Sequence, residues 1–322
     1  MTDSWRVLLP PEIDPSGPQS ITDFATCTGM DEYESVDAAL DDIGRYDAVV
    51  VRVAPLDADV LDDADRLKVI AKHGSGLDNV DIDAAGERDI VVCNTPGVNA
   101  RSVAEHAIAL LFGVQRNLHT ADRHVRDGGW DRDAYRGREL DGDTIGLMGF
   151  GSIAKETAQL AEGIGLDVIV YDPHHDDSVR DGVVRVATLT ELFERSDIVS
   201  LHVPLVDETR GAIGAEQLDA LGETGVLINT ARGGVIDEAA LIDALDRDAI
   251  GGAGLDTFEN EPLDDSPLVD DDRVLLTPHI GGVTVEALTR MSEGACENVR
   301  TVYEGGIPDS TVNREAIEGA LQ

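Results

Sequence analysis

The chain has 322 residues, 42% of them hydrophobic, and carries 64 acidic against 25 basic residues, a formal net charge of −39. No apolar run approaches the ~20 residues of a membrane span, and so acidic a surface argues against a nucleic acid or membrane partner. Cys27, Cys93 and Cys296 are scattered and odd in number, which favours a reducing, cytoplasmic compartment over a disulfide framework. The acidic residues are spread through folded-looking segments, so we interpret them as an adaptation to a salt-rich cytoplasm; the simpler alternative is an acidic, solvated surface.

Short runs rich in Val, Ile and Leu alternate with amphipathic stretches along almost the whole chain. The predicted strands are WRVLL, DAVVVRV, LKVIA, DIVVCN, DTIGLMGF, LDVIVYD, DIVSLHV, GVLINT, AIGGAGLD and RVLLTP. Helical patterns such as KETAQLAEGIG and DEAALIDALDRD lie between them. Apolar strands joined by helices predict parallel sheets covered on both faces, and therefore an α/β fold.

Two long, apolar helical patterns divide the chain, one at residues 102–118 and one at residues 285–303. One set of strands and helices precedes the first pattern, and another lies between the two. We therefore predict a discontinuous domain of residues 1–100 plus 285–322 and an inserted domain of residues 101–284. This division agrees with the usual size of a domain, which is roughly 150 residues.

A glycine-rich turn, GFGSIA, follows a predicted strand and precedes a helical stretch. In this context Gly149 permits a tight turn, Gly151 lets the backbone approach a pyrophosphate at the helix N-terminus, and Ala154 allows close packing. Asp172 ends the next predicted strand, 23 positions after Gly149 (172 − 149). A carboxylate there binds ribose hydroxyls and repels a 2′-phosphate, so the pattern predicts a site for NAD in preference to NADP.

The segment after Asp172 leaves two alternatives open. Arg180 and Arg185 are basic residues close in sequence, and they keep NADP as an alternative cofactor. His174 and His175 are followed by two aspartates, a composition that a metal site also has. A polar loop at the rim of an adenine pocket is the simpler interpretation, and no metal is expected.

Three polar residues follow predicted strands in the second half of the chain: Arg232 in NTARGG, Glu261 in ENEPL and His279 in TPHIGG. A guanidinium can hold a carboxylate in a bidentate fork, and a histidine can donate a proton near neutral pH. An acid beside the histidine orients its ring and stabilises its protonated form. Next to a dinucleotide, these groups are the ones that reduction of a 2-keto acid needs. Taken singly, each has a structural alternative as a surface or turn residue.

In this order, the segments GSGLDNVD, NTPG, GFGSIA, YDP, HVPL, NTARGGVIDE, GLDTFENEP and TPHIGG resemble the D-isomer-specific 2-hydroxyacid dehydrogenase family over nearly the whole chain. The resemblance implies two Rossmann- and flavodoxin-like parallel-sheet domains with a cleft between them, NAD as the cofactor and a homodimer. It implies that Arg232, Glu261 and His279 are catalytic. Further cofactor contacts that it implies are Ser75, Ser152, Ile153, Val203, Thr230, Ala231, Asp256 and Gly281.

The resemblance also implies that Asp256 contacts the nicotinamide carboxamide. From its apolar composition, the helix at residues 102–118 is expected to contribute to the dimer. Among the other histidines, His73 is expected to face the cleft and His202 to line the adenosine side. The remaining ones, on or near the long helix, are expected to be structural: His106, His119 and His124.

Within the family, VVRVAPLDADVL is most similar to the phosphoglycerate dehydrogenases, whose reaction belongs to serine biosynthesis. Arg52, Lys72 and Arg132 fall where that branch handles a phosphate, which needs several fixed cations, and Gly76 is expected beside the substrate. Oxidation of 3-phosphoglycerate to 3-phosphohydroxypyruvate is therefore favoured. Val53 and the segment GVNARS depart from that branch, so glyoxylate or hydroxypyruvate reduction, or a broad 2-hydroxyacid specificity, stays open. A remote alternative is an NAD(H)-sensing corepressor.

Overall fold

The structure is a computed structural model that describes residues 4–174 and 182–320. The chain forms two compact units: one contains the residues up to Asn99 and those from Thr284 onwards, and the other is Ala100–Val283. The chain thus leaves the first unit once and returns to it once. Among the described residues, no helix is both long enough and apolar enough to cross a membrane.

The first unit is built on a five-stranded sheet in which all neighbouring strands are parallel. Its strands are β1 (Trp5–Leu9), β2 (Ala25–Gly29), β3 (Ala48–Val51), β4 (Val69–Lys72) and β5 (Val91–Cys93). The helices between them are α1 (Ser16–Ser20), α2 (Val36–Asp41), α3 (Ala58–Asp62) and α4 (Ile82–Gly86). The strand order β2-β1-β3-β4-β5 is that of a flavodoxin-like, doubly wound sheet.

The central strands of this sheet are buried on both faces. Val49 and Ile70 point into one apolar cluster, while Val50, Val69 and Ala71 point into the other. Successive residues of a strand face opposite sides, so an uninterrupted apolar run is what a sheet covered on both faces requires. This is why the central strands were readable from the sequence.

The second unit is built on a seven-stranded parallel sheet. Its helices begin with α5 (Ala100–Gln115) and α6 (Leu118–Arg126), and continue with α7 (Ser152–Gly163), α8 (Leu189–Glu194), α9 (Ala215–Leu221) and α10 (Glu238–Asp246). Its strands are β6 (Thr144–Met148), β7 (Asp167–Tyr171), β8 (Val183–Arg185), β9 (Ile198–Leu201), β10 (Val226–Asn229), β11 (Gly252–Leu255) and β12 (Val274–Leu276).

The strand order of the second unit is β12-β11-β10-β9-β6-β7-β8. The order reverses between β6 and β9, and in open α/β sheets ligands bind beyond the carboxyl ends of the strands at such a point. All the strands are parallel, so the loops that follow β6, β7, β9, β10, β11 and β12 emerge at the same edge of the sheet. The glycine-rich turn, Asp172, Arg232, Glu261 and His279 all lie in these loops.

The apolar pattern predicted as one helix over residues 102–118 is interrupted. Helix α5 ends at Gln115, Asn117 has a left-handed backbone with φ of 51°, and α6 begins at Leu118. The apolar side of α5, with Leu110 and Leu111, is buried in the core of its own unit, where the helix packs on α7, β10 and β11. The apolarity of α5 is therefore explained by packing within its own unit and gives no support to the expected dimer contact.

The chain completes the first unit with α11 (Val285–Tyr303) and α12 (Arg314–Ala320). The hydroxyl of Thr284 caps α11 by accepting a hydrogen bond from the Ala287 amide at 3.1 Å. Ala295, Cys296 and Val299 of this helix are fully buried against the sheet of the first unit. The second long apolar pattern in the sequence thus closes the core that the N-terminal residues began.

Candidate functional site

The glycine-rich turn after β6 has the backbone geometry of a phosphate-binding loop. Gly149 has φ of 88°, and a Cβ there would lie 2.7 Å from the His202 carbonyl oxygen and 2.9 Å from Val203 Cγ1. A Cβ on Gly151 would instead meet no described atom within 4 Å, and no described side chain caps the N-terminus of α7. Ala154, in the first turn of α7, is fully buried. The helix therefore presents uncapped backbone N–H groups to open space, which fits the pyrophosphate of a dinucleotide.

Asp172, directly after β7, is tied to this turn. Its carboxylate is 7% exposed and accepts hydrogen bonds from the Phe150 amide at 2.8 Å and the His174 amide at 3.0 Å. The first of these bonds ties the Asp172 carboxylate to the glycine-rich turn. Arg185 donates to the Asp172 carbonyl at 2.8 Å.

The two alternatives left open by the sequence, a metal site and NADP as the cofactor, concern residues beyond Asp172. His174 pairs with the carboxylate of Glu208 at 3.0 Å on the surface. His175, and the Arg180 that kept NADP open, lie outside the described residues.

The loop after β10 is shaped by a residue that the sequence did not single out. Asn229 is fully buried; its amide nitrogen donates to the Arg232 carbonyl and its amide oxygen accepts from the Ala231 amide, both at 3.0 Å. The Arg232 guanidinium is half-buried and donates to the Ala231 carbonyl at 2.6 Å. A Cβ on Gly233 would lie 1.8 Å from the carbonyl carbon of Phe258, so the Arg232 loop lies directly against the loop after β11.

His279 and Glu261, which the sequence predicted to be a proton donor and its acidic partner, are hydrogen-bonded to each other. His279 Nδ1 donates to Glu261 Oε2 at 2.8 Å, and the other carboxylate oxygen accepts from the Phe258 amide at 3.1 Å. The side chains are 48% and 37% exposed, respectively. Because Nδ1 carries the proton shared with Glu261, Nε2 is the ring nitrogen left to exchange a proton with a substrate.

Asp256, after β11, organises the loop that carries His279. The carboxylate is 1% exposed and accepts from Thr277 Oγ1 at 2.6 Å, the Ile280 amide at 2.8 Å and the Gly281 amide at 2.7 Å. Burial alone would raise the pKa of Asp256, but hydrogen bonds, including one from His106, hold it below its ordinary value. The sequence assigned Asp256 to the nicotinamide; in this structure its carboxylate is bonded to the loop.

The other predicted cofactor contacts of the second unit occupy the same edge of its sheet. Ser152 and Ile153 open α7, Val203 follows β9, and Thr230 and Ala231 follow β10. The Thr230 hydroxyl is buried and has no hydrogen-bond partner among the described residues. An unpaired buried hydroxyl is a group that a bound ligand can satisfy, and with the glycine-rich turn it fits a dinucleotide.

The three residues predicted to bind a substrate phosphate belong to different units: Arg52 and Lys72 to the first, and Arg132 to the second. Lys72 is 8% exposed, and its ammonium donates to the Arg52 carbonyl at 2.6 Å and to the Asn79 side chain. Asn79 in turn donates to the Ala54 carbonyl at 2.6 Å. Lys72 therefore joins the loops after β3 and β4, and these bonds engage an ammonium that the sequence assigned to substrate phosphate. The Arg52 side chain is half-exposed, whereas Arg132 is exposed in the second unit, between α6 and β6.

The remaining candidates of the first unit lie beyond β4. Ser75 is exposed and its carbonyl accepts from Asn94 at 2.8 Å, while Gly76 is half-buried. His73 is 4% exposed, and burial lowers the pKa of its ring. In the second unit, burial lowers the pKa of His202 to about 3, and its Nε2 lies 3.0 Å from the Ser200 hydroxyl.

The chain belongs to the D-isomer specific 2-hydroxyacid dehydrogenase family, because the NAD binding domain of that family matches residues 108–281. It is 37% identical to D-3-phosphoglycerate dehydrogenase of Methanocaldococcus jannaschii over 92% of this chain, and it spans 56% of that relative's length. It is 38% identical to hydroxypyruvate reductase of Thermotoga maritima, over 92% of this chain and 97% of the relative.

A solved structure supports the same conclusion about the fold. The NADPH-dependent glyoxylate/hydroxypyruvate reductase of Sinorhizobium meliloti, in complex with NADP and malonate, superposes with a TM-score of 0.84 at 33% identity, covering 97% of each chain. The predicted α/β class with two parallel-sheet domains and the predicted family are both confirmed.

Proposed function

We propose that the protein is an NAD-dependent oxidoreductase that interconverts a D-2-hydroxy acid and its 2-keto acid. The observation that carries the proposal is the 2.8 Å hydrogen bond between His279 and Glu261. This pair lies at the sheet edge that also carries the glycine-rich turn and Arg232. Family membership supports the same reaction class.

Each side chain has a distinct task in this reaction. The nicotinamide, when bound, donates or accepts the hydride. Arg232 holds the substrate carboxylate through its guanidinium. His279 gives the Nε2 proton to the carbonyl oxygen during reduction and removes it during oxidation, while the Glu261 carboxylate stabilises the protonated ring.

NAD is the proposed cofactor because Asp172 stands where a 2′-phosphate would be repelled. The relative from Sinorhizobium meliloti is NADPH-dependent by name, so the choice needs a direct test. Asp172→Ala is expected to raise kcat/KM with NADPH relative to NADH. Unchanged selectivity would show that this carboxylate does not discriminate between the cofactors.

The first substrate to test is 3-phosphoglycerate, with 3-phosphohydroxypyruvate in the reverse direction. Its support is Arg52 after β3, together with the similarity to a D-3-phosphoglycerate dehydrogenase. Glyoxylate and hydroxypyruvate are the second candidates. They are favoured by the internal bonds of Lys72, which reduce the cationic charge available for a phosphate, and by the match to hydroxypyruvate reductase over 97% of its length.

The deciding experiment measures kcat/KM for these acids with NADH and NADPH in concentrated salt. Arg52→Gln is compared with Arg6→Gln, which removes an exposed arginine from β1 of the same unit. A phosphate role for Arg52 predicts a loss of about tenfold or more on phosphorylated substrates only. An equal loss on all substrates would contradict that role. NADH binding without reduction of any 2-keto acid would overturn the enzymatic proposal and favour the corepressor alternative.

A homodimer and a cytoplasmic location also remain predictions. The apolar face of α5 is buried, but the described part of the second unit exposes other large apolar side chains, among them Leu118, Val125 and Trp130, of which Trp130 is 81% exposed. Sedimentation equilibrium on the wild type and Trp130→Ser would show whether the chain self-associates and whether this surface contributes.

A further inference from the structure

We infer that His106 of α5 is a positioning residue that holds the loop carrying His279 in its reactive conformation. The inference deepens the proposed function and rests on His279 being the proton donor. His106 was expected to be merely structural. Its Nε2 lies 2.9 Å from Thr277 Oγ1 and 3.3 Å from Asp256 Oδ1, two groups at the base of the His279 loop.

The direction of these hydrogen bonds follows from the number of protons available. Thr277 Oγ1 donates its single hydrogen to Asp256 Oδ1 at 2.6 Å. The hydroxyl can therefore only accept from His106, so Nε2 of His106 carries a proton. The imidazole thereby donates to the Thr277 hydroxyl, which is itself bonded to the buried Asp256 carboxylate, and the His106 side chain is only 18% exposed.

The same carboxylate fixes the backbone on the far side of His279. Asp256 accepts from the Ile280 and Gly281 amides, and its own carbonyl accepts from the His279 amide at 2.9 Å. His279 has φ of 52°, a left-handed conformation that a residue with a side chain keeps only when its surroundings hold it. A Cβ on Gly281 would lie 2.9 Å from Asp256 Oδ2 and 3.5 Å from His106 Cδ2.

A continuous set of bonds thus runs from α5 through Thr277 and Asp256 to the amides that follow His279. Loss of the His106 donor removes the hydrogen bond that the Thr277 oxygen accepts, leaves only its bond to Asp256, and weakens the hold on the loop. The backbone at His279 then visits other conformations, and Nε2 meets the substrate oxygen less often. Turnover falls, while the glycine-rich turn that binds the dinucleotide is unchanged.

The test compares His106→Leu, which removes the donor, with His106→Gln, whose amide nitrogen can replace Nε2. Thr277→Val is a second disrupting variant at nearly constant volume. His119→Leu is the control, because His119 Nε2 lies 3.1 Å from the Asp272 carbonyl, away from this loop. Hydrogen–deuterium exchange of a peptide spanning residues 277–283 reports local opening without requiring any substrate.

His106→Leu and Thr277→Val are expected to increase exchange in this peptide and to lower kcat about tenfold. The solvent isotope effect on kcat should increase, because proton transfer becomes more rate-limiting. His106→Gln should restore both readouts, and His119→Leu should match the wild type. Unchanged exchange in both disrupting variants, or a glutamine variant as impaired as the leucine one, would overturn the inference. Increased exchange in a protein that reduces no 2-keto acid would refute the proposed function and leave the holding role intact.

Discussion

Replacing Glu261 by glutamine tests the acid–base pair with the smallest change in shape. The carboxylate accepts two hydrogen bonds, one from His279 Nδ1 at 2.8 Å and one from the Phe258 amide at 3.1 Å. A glutamine side chain has one acceptor oxygen and one donor nitrogen. It can therefore satisfy only one of these two donors, and it carries no charge to stabilise a protonated imidazole.

The size of the effect follows from these contacts. A hydrogen bond to a charged group contributes about 1.5–3 kcal/mol, against about 0.5–1.5 kcal/mol for a neutral one. The partial exposure of both side chains favours the lower part of that range, and a loss of about 1.4 kcal/mol is a tenfold loss of rate. We expect kcat for 2-keto acid reduction to fall about tenfold in Glu261→Gln, which is less than the ~10²–10⁴ that loss of the general acid itself would cause.

The assay is steady-state reduction of the best 2-keto acid by NADH in concentrated salt. Glu259→Gln is the matched control, because it removes the same charge from an exposed position in the same loop. The KM for NADH should stay unchanged in both variants. A Glu261→Gln enzyme within about twofold of the wild-type kcat, or an equal loss in the control, would show that the carboxylate does not act through His279.

Three further predictions concern stability. Gly233→Ala places a Cβ 1.8 Å from the Phe258 carbonyl carbon and should cost about 3 kcal/mol by chemical denaturation, whereas Gly163→Ala, whose Cβ meets no described atom within 4 Å, should be nearly neutral. Because the folded pKa of Asp256 is lowered, its contribution is complete above the ordinary carboxyl pKa of about 3.9 and is lost as the pH falls through the folded value. The difference in Tm between wild type and Asp256→Asn should therefore narrow on acidification; a constant difference would contradict this. With a net charge of −39, the protein should lose structure in dilute buffer and regain it in concentrated salt; full stability at low salt would refute the halophilic interpretation.

The central strands were predictable because they are buried on both faces, which requires uninterrupted apolar runs. The two strands that the sequence did not reveal, β2 and β8, lie at the sheet edges. The sequence of β2, ATCTG, is partly polar. The sequence of β8, VVR, is only three residues long. An edge strand pairs on one side alone and is less buried, so its composition need not be apolar.

The order of the motifs determined the family and the choice of Arg232, Glu261 and His279. These residues follow predicted strands of one parallel sheet, and the carboxyl ends of such strands share an edge. That argument places the three loops near one another without specifying any bond between them. Chemical reasoning predicted that a carboxylate lies beside His279. The structure shows which atoms of His279 and Glu261 are bonded, at 2.8 Å.

Other features depended on contacts between residues far apart in sequence. The sequence could not show that Gly233 would lie against Phe258, that Lys72 would bond to the Arg52 carbonyl, or that His106 would reach Thr277 across 171 positions. Local composition records how a segment packs and which groups it can offer. Only the strand order and the packing of α5 on the sheet decide which of those groups meet. A hydrogen bond forms only when two atoms lie about 3 Å apart in space, and the number of residues between them in the chain does not determine that distance.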